Sequence, residues 1–140
     1  MYEYGKKSSA KLNTCHPDLQ MVAEYALAMS PYDITIIHGW RGEDVQNALY
    51  DSGASHKQWP DSKHNHTAND TPYSLAIDFA PWVKGTIPWN DTHIFAIIAG
   101  CFFAAANQVG VTIRYGGDWD SDGSTTDQTL MDWGHVELID

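Results

Sequence analysis

Three short stretches of this 140-residue chain carry histidine and aspartate residues that could bind a metal ion. The stretches are Ser62-Lys63-His64, Ala76-Ile77-Asp78 and Asp132-Trp133-Gly134-His135, and each lies at the edge of a strand predicted below. Two histidines and one carboxylate suit a catalytic zinc site, in which three protein ligands leave a fourth position for water. The pattern therefore predicts a hydrolytic metal centre, although any one of these histidines could instead be a solvated loop residue.

Asp132 has a second chemical use in this arrangement. It stands three residues before His135, at the approach to the last predicted strand. A carboxylate at that distance can accept a proton from the attacking water without binding the metal itself. We therefore expect Asp132 to act as a general acid and base.

The elements that must position these residues follow from the hydrophobic periodicity and the turn residues. Apolar residues at offsets of three and four predict helices, and short β-branched or alternating runs predict strands. The predicted helices are 17–30, 43–51 and 94–109, and the predicted strands are 33–39, 74–80, 111–115 and 134–138. Two long polar loops, 52–73 and 116–131, separate them. This mixture predicts one α+β domain over residues 1–140, with a small antiparallel sheet and helices packed on it. The 94–109 helix is apolar on most faces, which predicts a central, buried helix.

The charge balance excludes two classes of partner. The chain has eight lysine and arginine residues and 18 acidic residues, which gives a formal net charge of −10. Such a surface repels phosphate backbones and anionic headgroups, so we expect no nucleic acid partner and no stable membrane binding. The polar N-terminus, residues 1–12, is unlike a signal peptide, and no continuous apolar run is long enough to span a membrane. We therefore expect synthesis in the cytoplasm.

Taken together, these motifs resemble those of the M15 family of zinc peptidases. The resemblance rests on Ser62-Lys63-His64, the 74–78 stretch ending in Asp78, Arg41 upstream and the 132–137 stretch. The family includes D-Ala-D-Ala carboxypeptidases and dipeptidases and phage L-alanyl-D-glutamate endopeptidases. The chain length and the stretch 115–120 look most like the phage endolysin branch. The resemblance implies a fold like that of hedgehog and D-Ala-D-Ala peptidases.

Carried over residue by residue, the resemblance assigns roles to six positions. It implies that His64, Asp78 and His135 bind zinc, that Asp132 is the catalytic acid and base, and that Ser62 supports the zinc site. Arg41 falls where the family keeps an arginine that faces the substrate, so it is expected to bind substrate and stabilise an oxyanion. The alternative is that Arg41 only bridges acidic residues on the surface.

The first histidine departs from the family pattern. In the common pattern the histidine precedes the aspartate by about seven residues with a glycine between them, whereas His64 precedes Asp78 by 14 positions and Ser74 replaces the glycine. His66 is therefore a second candidate. We prefer His64 because Ser62 stands two residues before it, as the motif requires.

A second cation site is predicted in the 116–131 loop. Asp118, Asp120 and Asp122 fall on alternate positions of an EF-hand-like loop, followed by Gly123 and Ser124. These residue types supply oxygen ligands for calcium. The final position is Thr129 rather than glutamate, though Asp127 could contribute. The alternative is a solvated acidic turn.

The resulting hypothesis is a zinc peptidase that cleaves the stem peptide of bacterial peptidoglycan, at the L-Ala-D-Glu bond, in phage-induced host lysis. A D-Ala-D-Ala carboxypeptidase would use the same residues. A non-catalytic wall-binding module is a further alternative, and a magnesium nuclease conflicts with the charge. We expect a monomer that reaches the periplasm or cell wall with the help of a membrane-permeabilising partner such as a holin.

Overall fold

Four helices and six strands occur in the computed structural model, which describes residues 1–123 and 132–139. The helices are α1 (Lys6–Leu12), α2 (Pro17–Met29), α3 (Glu43–Asp51) and α4 (Thr92–Val109). The strands are β1 (Asp33–His38), β2 (Thr67–Ala68), β3 (Thr71–Pro72), β4 (Ala76–Trp82), β5 (Thr112–Tyr115) and β6 (His135–Ile139). Every predicted helix and strand is confirmed, with bounds that differ by two residues or fewer.

The main sheet has four antiparallel strands in the order β1-β4-β6-β5. This arrangement confirms the predicted α+β class with a small antiparallel sheet. Strand β4 lies between β1 and β6, and its register places Asp78 opposite His135 on one side and opposite His38 on the other. Asp78 and His135, which are 57 positions apart in the sequence, therefore lie side by side.

The hydrophobic core lies between the sheet and the pair of helices α2 and α4. Phe79 of β4 stacks on Phe102 of α4, with ring centroids 4.9 Å apart, and both side chains are buried. Leu19 and Val22 of α2 are fully buried in the same cluster. Each such apolar side chain contributes about 1.5–3 kcal/mol when it leaves water. The sheet that carries the candidate site is therefore backed by a continuous packed layer.

The expectation that α4 is a central, buried helix was wrong for one face of the helix. Phe95, Ile98 and Phe102 face the core, but Ile97 and Phe103 are exposed by 46% and 41%. The helix is long and apolar enough to cross a membrane by length and composition alone, with a mean hydropathy of 1.5. The buried face of α4 packs against α2 and the sheet, whereas the face that carries Ile97 and Phe103 is exposed.

Helix α1 was missed by the sequence analysis. Its residues have no apolar period, and only Ser8 and Leu12 are buried. The helix covers the free edge of β1, where the Ser8 hydroxyl accepts a hydrogen bond of 3.0 Å from the Ile36 backbone N–H. Lys11 Nζ also donates to the Ile36 carbonyl at 3.3 Å, so α1 covers the strand edge through polar contacts, which leave no hydrophobic pattern in the sequence.

Candidate metal centre

His64 lies in a 3₁₀ turn, Lys63–Asn65, in the long loop between α3 and β4. Ser62 caps this turn, because its hydroxyl accepts from the His64 backbone N–H at 3.2 Å while the Asn65 side chain accepts from the Ser62 N–H at 3.0 Å. The imidazole itself is buried, and its Nδ1 donates to the Gly39 carbonyl at 2.8 Å. This hydrogen bond fixes the tautomer and leaves the Nε2 lone pair free for a ligand.

Two close backbone approaches at the site require glycine. A Cβ on Gly39 would lie 2.3 Å from the Lys11 carbonyl oxygen, and one on Gly116 would lie 2.2 Å from the Asp132 carbonyl oxygen. The Asp132 N–H donates to the Gly116 carbonyl at 2.9 Å. Glycine at position 39 therefore allows the backbone approach that places the carbonyl bonded to His64. Glycine at position 116 allows the close contact with the backbone of Asp132.

Asp78 is the centre of the cluster. Its Oδ1 lies 3.2 Å from His64 Nε2 and 3.0 Å from His135 Nδ1. One potential ligand atom from each of the three residues lies within 4.8 Å of the other two. Residues that are separate in sequence thus converge on one point beneath the surface.

The donor atoms of this cluster fit a divalent metal ion. His64 Nε2 is buried and has no hydrogen-bond partner, although it points toward the Asp78 carboxylate. A buried polar atom without a partner is costly in free energy, so native proteins rarely leave one. A cation between two imidazole nitrogens and a carboxylate would satisfy it, and this donor set is typical of zinc sites.

The second oxygen of Asp78 is held by two residues from the β1 end. The Arg41 guanidinium forms an ion pair with Oδ2, and His38 Nδ1 lies 3.2 Å from the same oxygen. The Arg41 side chain is 11% exposed and also donates to Gln46 Oε1 at 3.3 Å. Arg41 therefore supports Asp78 directly, a contact that the sequence did not indicate, while it also lines the cavity described below.

His135 is oriented by Glu137, two residues further along β6. Its Nε2 donates to Glu137 Oε1 at 2.8 Å, which directs Nδ1 toward Asp78. The other carboxylate oxygen of Glu137 lies 2.8 Å from Arg114 and 3.4 Å from Lys63. A carboxylate that accepts from a ligand histidine fixes the ring and raises its basicity. The partners of Glu137 thus come from three separate segments of the chain: β6, β5 and the 3₁₀ turn.

The electrostatics of the cluster favour a bound cation. Burial lowers the pKa of His64. Burial alone would raise the pKa of Asp78, but His64, His135 and His38 outweigh it and hold that pKa well below the usual range. Burial likewise opposes ionisation of His135, yet hydrogen bonds to Asp78 and Glu137 raise its pKa to about 9. Metal binding at His135 would therefore displace a proton.

Asp132 lies beside the cluster and not within it. Its Oδ2 is 3.9 Å from His135 Nδ1, and its side chain is 51% exposed. Burial of part of the carboxyl and the nearby Asp78 carboxylate raise the pKa of Asp132. A carboxyl with a raised pKa and access to solvent has the properties of a proton acceptor.

A cavity of about 600 Å³ opens over the cluster. Its lining includes Arg41, His64, His135 and Asp132, together with residues 53–57. Trp119 also lines it, with its ring centroid 5.3 Å from that of His135. The cavity therefore gives a substrate access to the candidate metal centre.

The structure places His64, and not His66, in the cluster. The additional residues between His64 and Asp78 form the β2–β3 hairpin, whose turn residues Asn69 and Asp70 have positive φ angles of 51° and 60°. His66 is exposed and lies beside Tyr73, with ring centroids 6.3 Å apart. Because the hairpin closes on itself, the longer spacing leaves His64 near Asp78.

The acidic loop forms a second, separate group. Carboxylate oxygens of Asp118, Asp120 and Asp122 lie within 4.8 Å of one another. The Asp118 carboxylate accepts from the backbone N–H groups of Asp122 and Gly123, at 3.2 and 2.9 Å. The other predicted calcium-loop residues, Ser124, Asp127 and Thr129, lie outside the described residues.

Comparison with known proteins gives consistent matches over the whole chain. A model of the phage L-alanyl-D-glutamate peptidase family matches residues 1–139. The L-alanyl-D-glutamate peptidase of Escherichia phage T5 is 39% identical over 143 residues, which cover 99% of this chain and 98% of that protein. The structure of the L-Ala D-Glu endopeptidase ChiX of Serratia marcescens superposes with a TM-score of 0.78 at 25% identity, covering 98% of this chain and 90% of that one.

Proposed function

Because the chain belongs to the phage L-alanyl-D-glutamate peptidase family, we propose that it hydrolyses the L-Ala-D-Glu bond in the stem peptide of bacterial peptidoglycan. The family resemblance inferred from the sequence is thereby confirmed. The observation that carries the proposal is the convergence of His64, Asp78 and His135, since the two histidines line a cavity that Asp132 also lines. The catalytic domain in this proposal spans residues 1–140.

The metal in this proposal is zinc, held by His64 Nε2, Asp78 Oδ1 and His135 Nδ1. The support is the donor set, two imidazole nitrogens and one carboxylate, and the buried His64 Nε2 that lacks a partner. When bound, zinc supplies a Lewis acid that polarises a carbonyl and makes water nucleophilic near neutral pH. Ser62 supports this site through the backbone of His64.

Two further residues carry out the chemistry of peptide hydrolysis in this proposal. Asp132 accepts the proton of the attacking water and returns it to the leaving amine, since its carboxyl faces the cavity and its pKa is raised. Arg41 stabilises the negative charge that develops on the carbonyl oxygen, because its guanidinium lines the same cavity. The ion pair of Arg41 with Asp78 keeps Oδ1 directed toward the two histidines.

The acidic loop adds a second cation site to the proposal. Asp118, Asp120 and Asp122 bind calcium, which offsets the repulsion among three neighbouring carboxylates. The loop leads toward Asp132 in sequence, so an ordered loop would help to place that residue. A solvated acidic turn remains the competing interpretation, and the calcium titration described below separates the two.

The biological setting follows from the phage relatives. We propose that the protein is made in the host cytoplasm, acts as a monomer on the cell wall, and depends on a membrane-permeabilising partner such as a holin. Expression in a host cell with and without such a protein tests this setting. Lysis only in the presence of the partner is the expected result, and equally fast lysis without it would contradict the dependence.

The direct test of the proposed activity is digestion of purified peptidoglycan. We expect new amino-terminal glutamate, loss of activity with a chelator and recovery with zinc. New carboxyl-terminal D-Ala without new glutamate would indicate the D-Ala-D-Ala carboxypeptidase activity. Wall binding without any new terminus would indicate a binding module instead.

A further inference from the structure

The cavity over the metal centre is basic in an acidic protein. Among the residues that the structure describes, four of the eight lysine and arginine residues line this cavity, compared with two of the 16 acids. The cations are Arg41, Lys57, Lys63 and Arg114. In a chain with a net charge of −10 this concentration of positive charge indicates an anionic ligand.

Three of these four cations are already paired within the protein. Arg41 binds Asp78, while Lys63 and Arg114 both bind Glu137. Lys57 is exposed, and its ammonium group has no ion pair with any of residues 1–123 or 132–139. Lys57 therefore differs from the other three cations in that its charge can meet a ligand without sharing an existing ion pair of the described residues.

The backbone of Lys57 is fixed although its side chain is exposed. The buried Gln46 amide donates to the Lys57 carbonyl at 2.6 Å and to the Ser55 hydroxyl at 2.9 Å. The Gln46 carbonyl oxygen accepts from Arg41 and Asn65, at 3.3 and 3.2 Å. One buried side chain thus ties the wall that carries Lys57 to the arginine that supports Asp78.

We propose that Lys57 binds the free α-carboxylate of the D-glutamyl residue of the substrate and so determines specificity for stem peptides that carry this charge. The inference rests on the proposed function, because it assumes that an L-Ala-D-Glu bond lies over the metal centre. In peptidoglycan the glutamate is linked onward through its γ-carboxyl, so its α-carboxylate is attached to the same carbon as the scissile nitrogen. That carboxylate must enter a cavity that already contains Asp132 and Glu137, where it needs a compensating cation.

The test uses zinc-loaded enzyme and three synthetic stem peptides. One has the free α-carboxylate on D-Glu, the second has a carboxamide at that position, and the third keeps the D-Glu carboxylate but is amidated at the next residue. Steady-state kinetics are measured for the wild type, Lys57→Gln and the control Lys7→Gln, which changes an exposed lysine of α1 outside the cavity. Thermal unfolding checks that each variant is folded.

We expect Lys57→Gln to raise KM about tenfold for the first and third peptides, with little change in kcat. A tenfold change is at the low end of the effect of losing a hydrogen bond to a charged group. The variant should cleave the carboxamide peptide as the wild type does, and Lys7→Gln should match the wild type throughout. An unchanged preference for the carboxylate in Lys57→Gln would overturn the proposal. If Lys57→Gln raises KM for the first two peptides but not for the third, which is amidated at the residue after D-Glu, the assignment to the D-Glu carboxylate would be overturned. No hydrolysis of any peptide by the wild type would overturn the proposed function itself, and this inference with it.

Discussion

The two clusters of potential metal ligands differ in burial and in how far their atoms are already bonded. In both clusters the ligand atoms lie within 4.8 Å of one another. His64 and His135 are buried on a sheet backed by the core, and His64 Nε2 has no hydrogen-bond partner. Asp120 and Asp122 are exposed, and Asp118 already accepts from the backbone of its own loop. Both clusters bring ligand atoms close together, but the first cluster also buries a ligand atom, His64 Nε2, that has no hydrogen-bond partner.

This difference indicates which cluster the activity depends on. Burial of the unpartnered His64 Nε2 is costly without a ligand, whereas Asp120 and Asp122 are exposed to solvent. The predictions below therefore assign large effects to the buried cluster and a small one to the loop.

The largest effect is expected for Asp78→Asn, which keeps the volume of the side chain but removes its charge. Zinc binding and peptidoglycan hydrolysis should both fall to background, because the shared oxygen between the two histidines is no longer anionic. Metal analysis of the purified variant, together with a hydrolysis assay, checks this. Asp120→Asn is the matched control in the acidic loop and should retain its zinc.

Asp132→Asn is expected to have the next largest effect. The rate should fall on the order of 10² to 10⁴ because the proton acceptor is lost. Zinc content and the thermal unfolding temperature should match those of the wild type, since Asp132 is exposed and is not placed as a ligand. A variant that retains wild-type turnover would remove Asp132 from the mechanism.

Glu137→Gln should weaken zinc binding about 10- to 100-fold, the usual effect of losing the carboxylate that orients a ligand histidine. The amide nitrogen would also face Arg114 and Lys63, which are themselves donors. Competition with a chelator of known affinity measures the change. Wild-type affinity would show that His135 does not depend on Glu137 for its orientation.

Calcium is expected to have the smallest effect. Added to chelator-treated, zinc-reloaded enzyme, it should raise activity a few-fold in the wild type and leave Asp120→Ala unchanged. Binding should be weak because Thr129 stands where a bidentate glutamate would complete the loop. Activity that is independent of calcium in both proteins would leave the loop as a solvated acidic turn.

The fold could be predicted from the sequence where periodicity is strong. The α2 and α4 helices and all four strands of the main sheet have the expected bounds to within two residues. Helix α1 could not be predicted, because it covers a strand edge through polar contacts of Ser8 and Lys11 and lacks an apolar period. The exposure of α4 was also missed, since composition does not reveal which faces the sheet covers.

The candidate site could be predicted as a set of residue types but not as a network. His64, Asp78 and His135 were expected as ligands from their residue types and from the family resemblance, and the hairpin that separates His64 from Asp78 is visible only in the structure. Gln46 and Glu137 acquire their roles from partners that are distant in sequence. Lys57 gave no signal at all, because a lysine in a polar loop is ordinary until the cavity is known.

The most direct test of the central claim is the zinc content of two single variants, His64→Ala and His66→Ala. The account predicts that His64→Ala loses zinc and hydrolysis while its circular dichroism spectrum remains that of a folded protein. His66→Ala should retain one zinc ion per chain and near wild-type activity, because its ring lies beside Tyr73 and outside the cluster. Normal zinc content in His64→Ala together with loss in His66→Ala would contradict the account and assign the ligand to the hairpin.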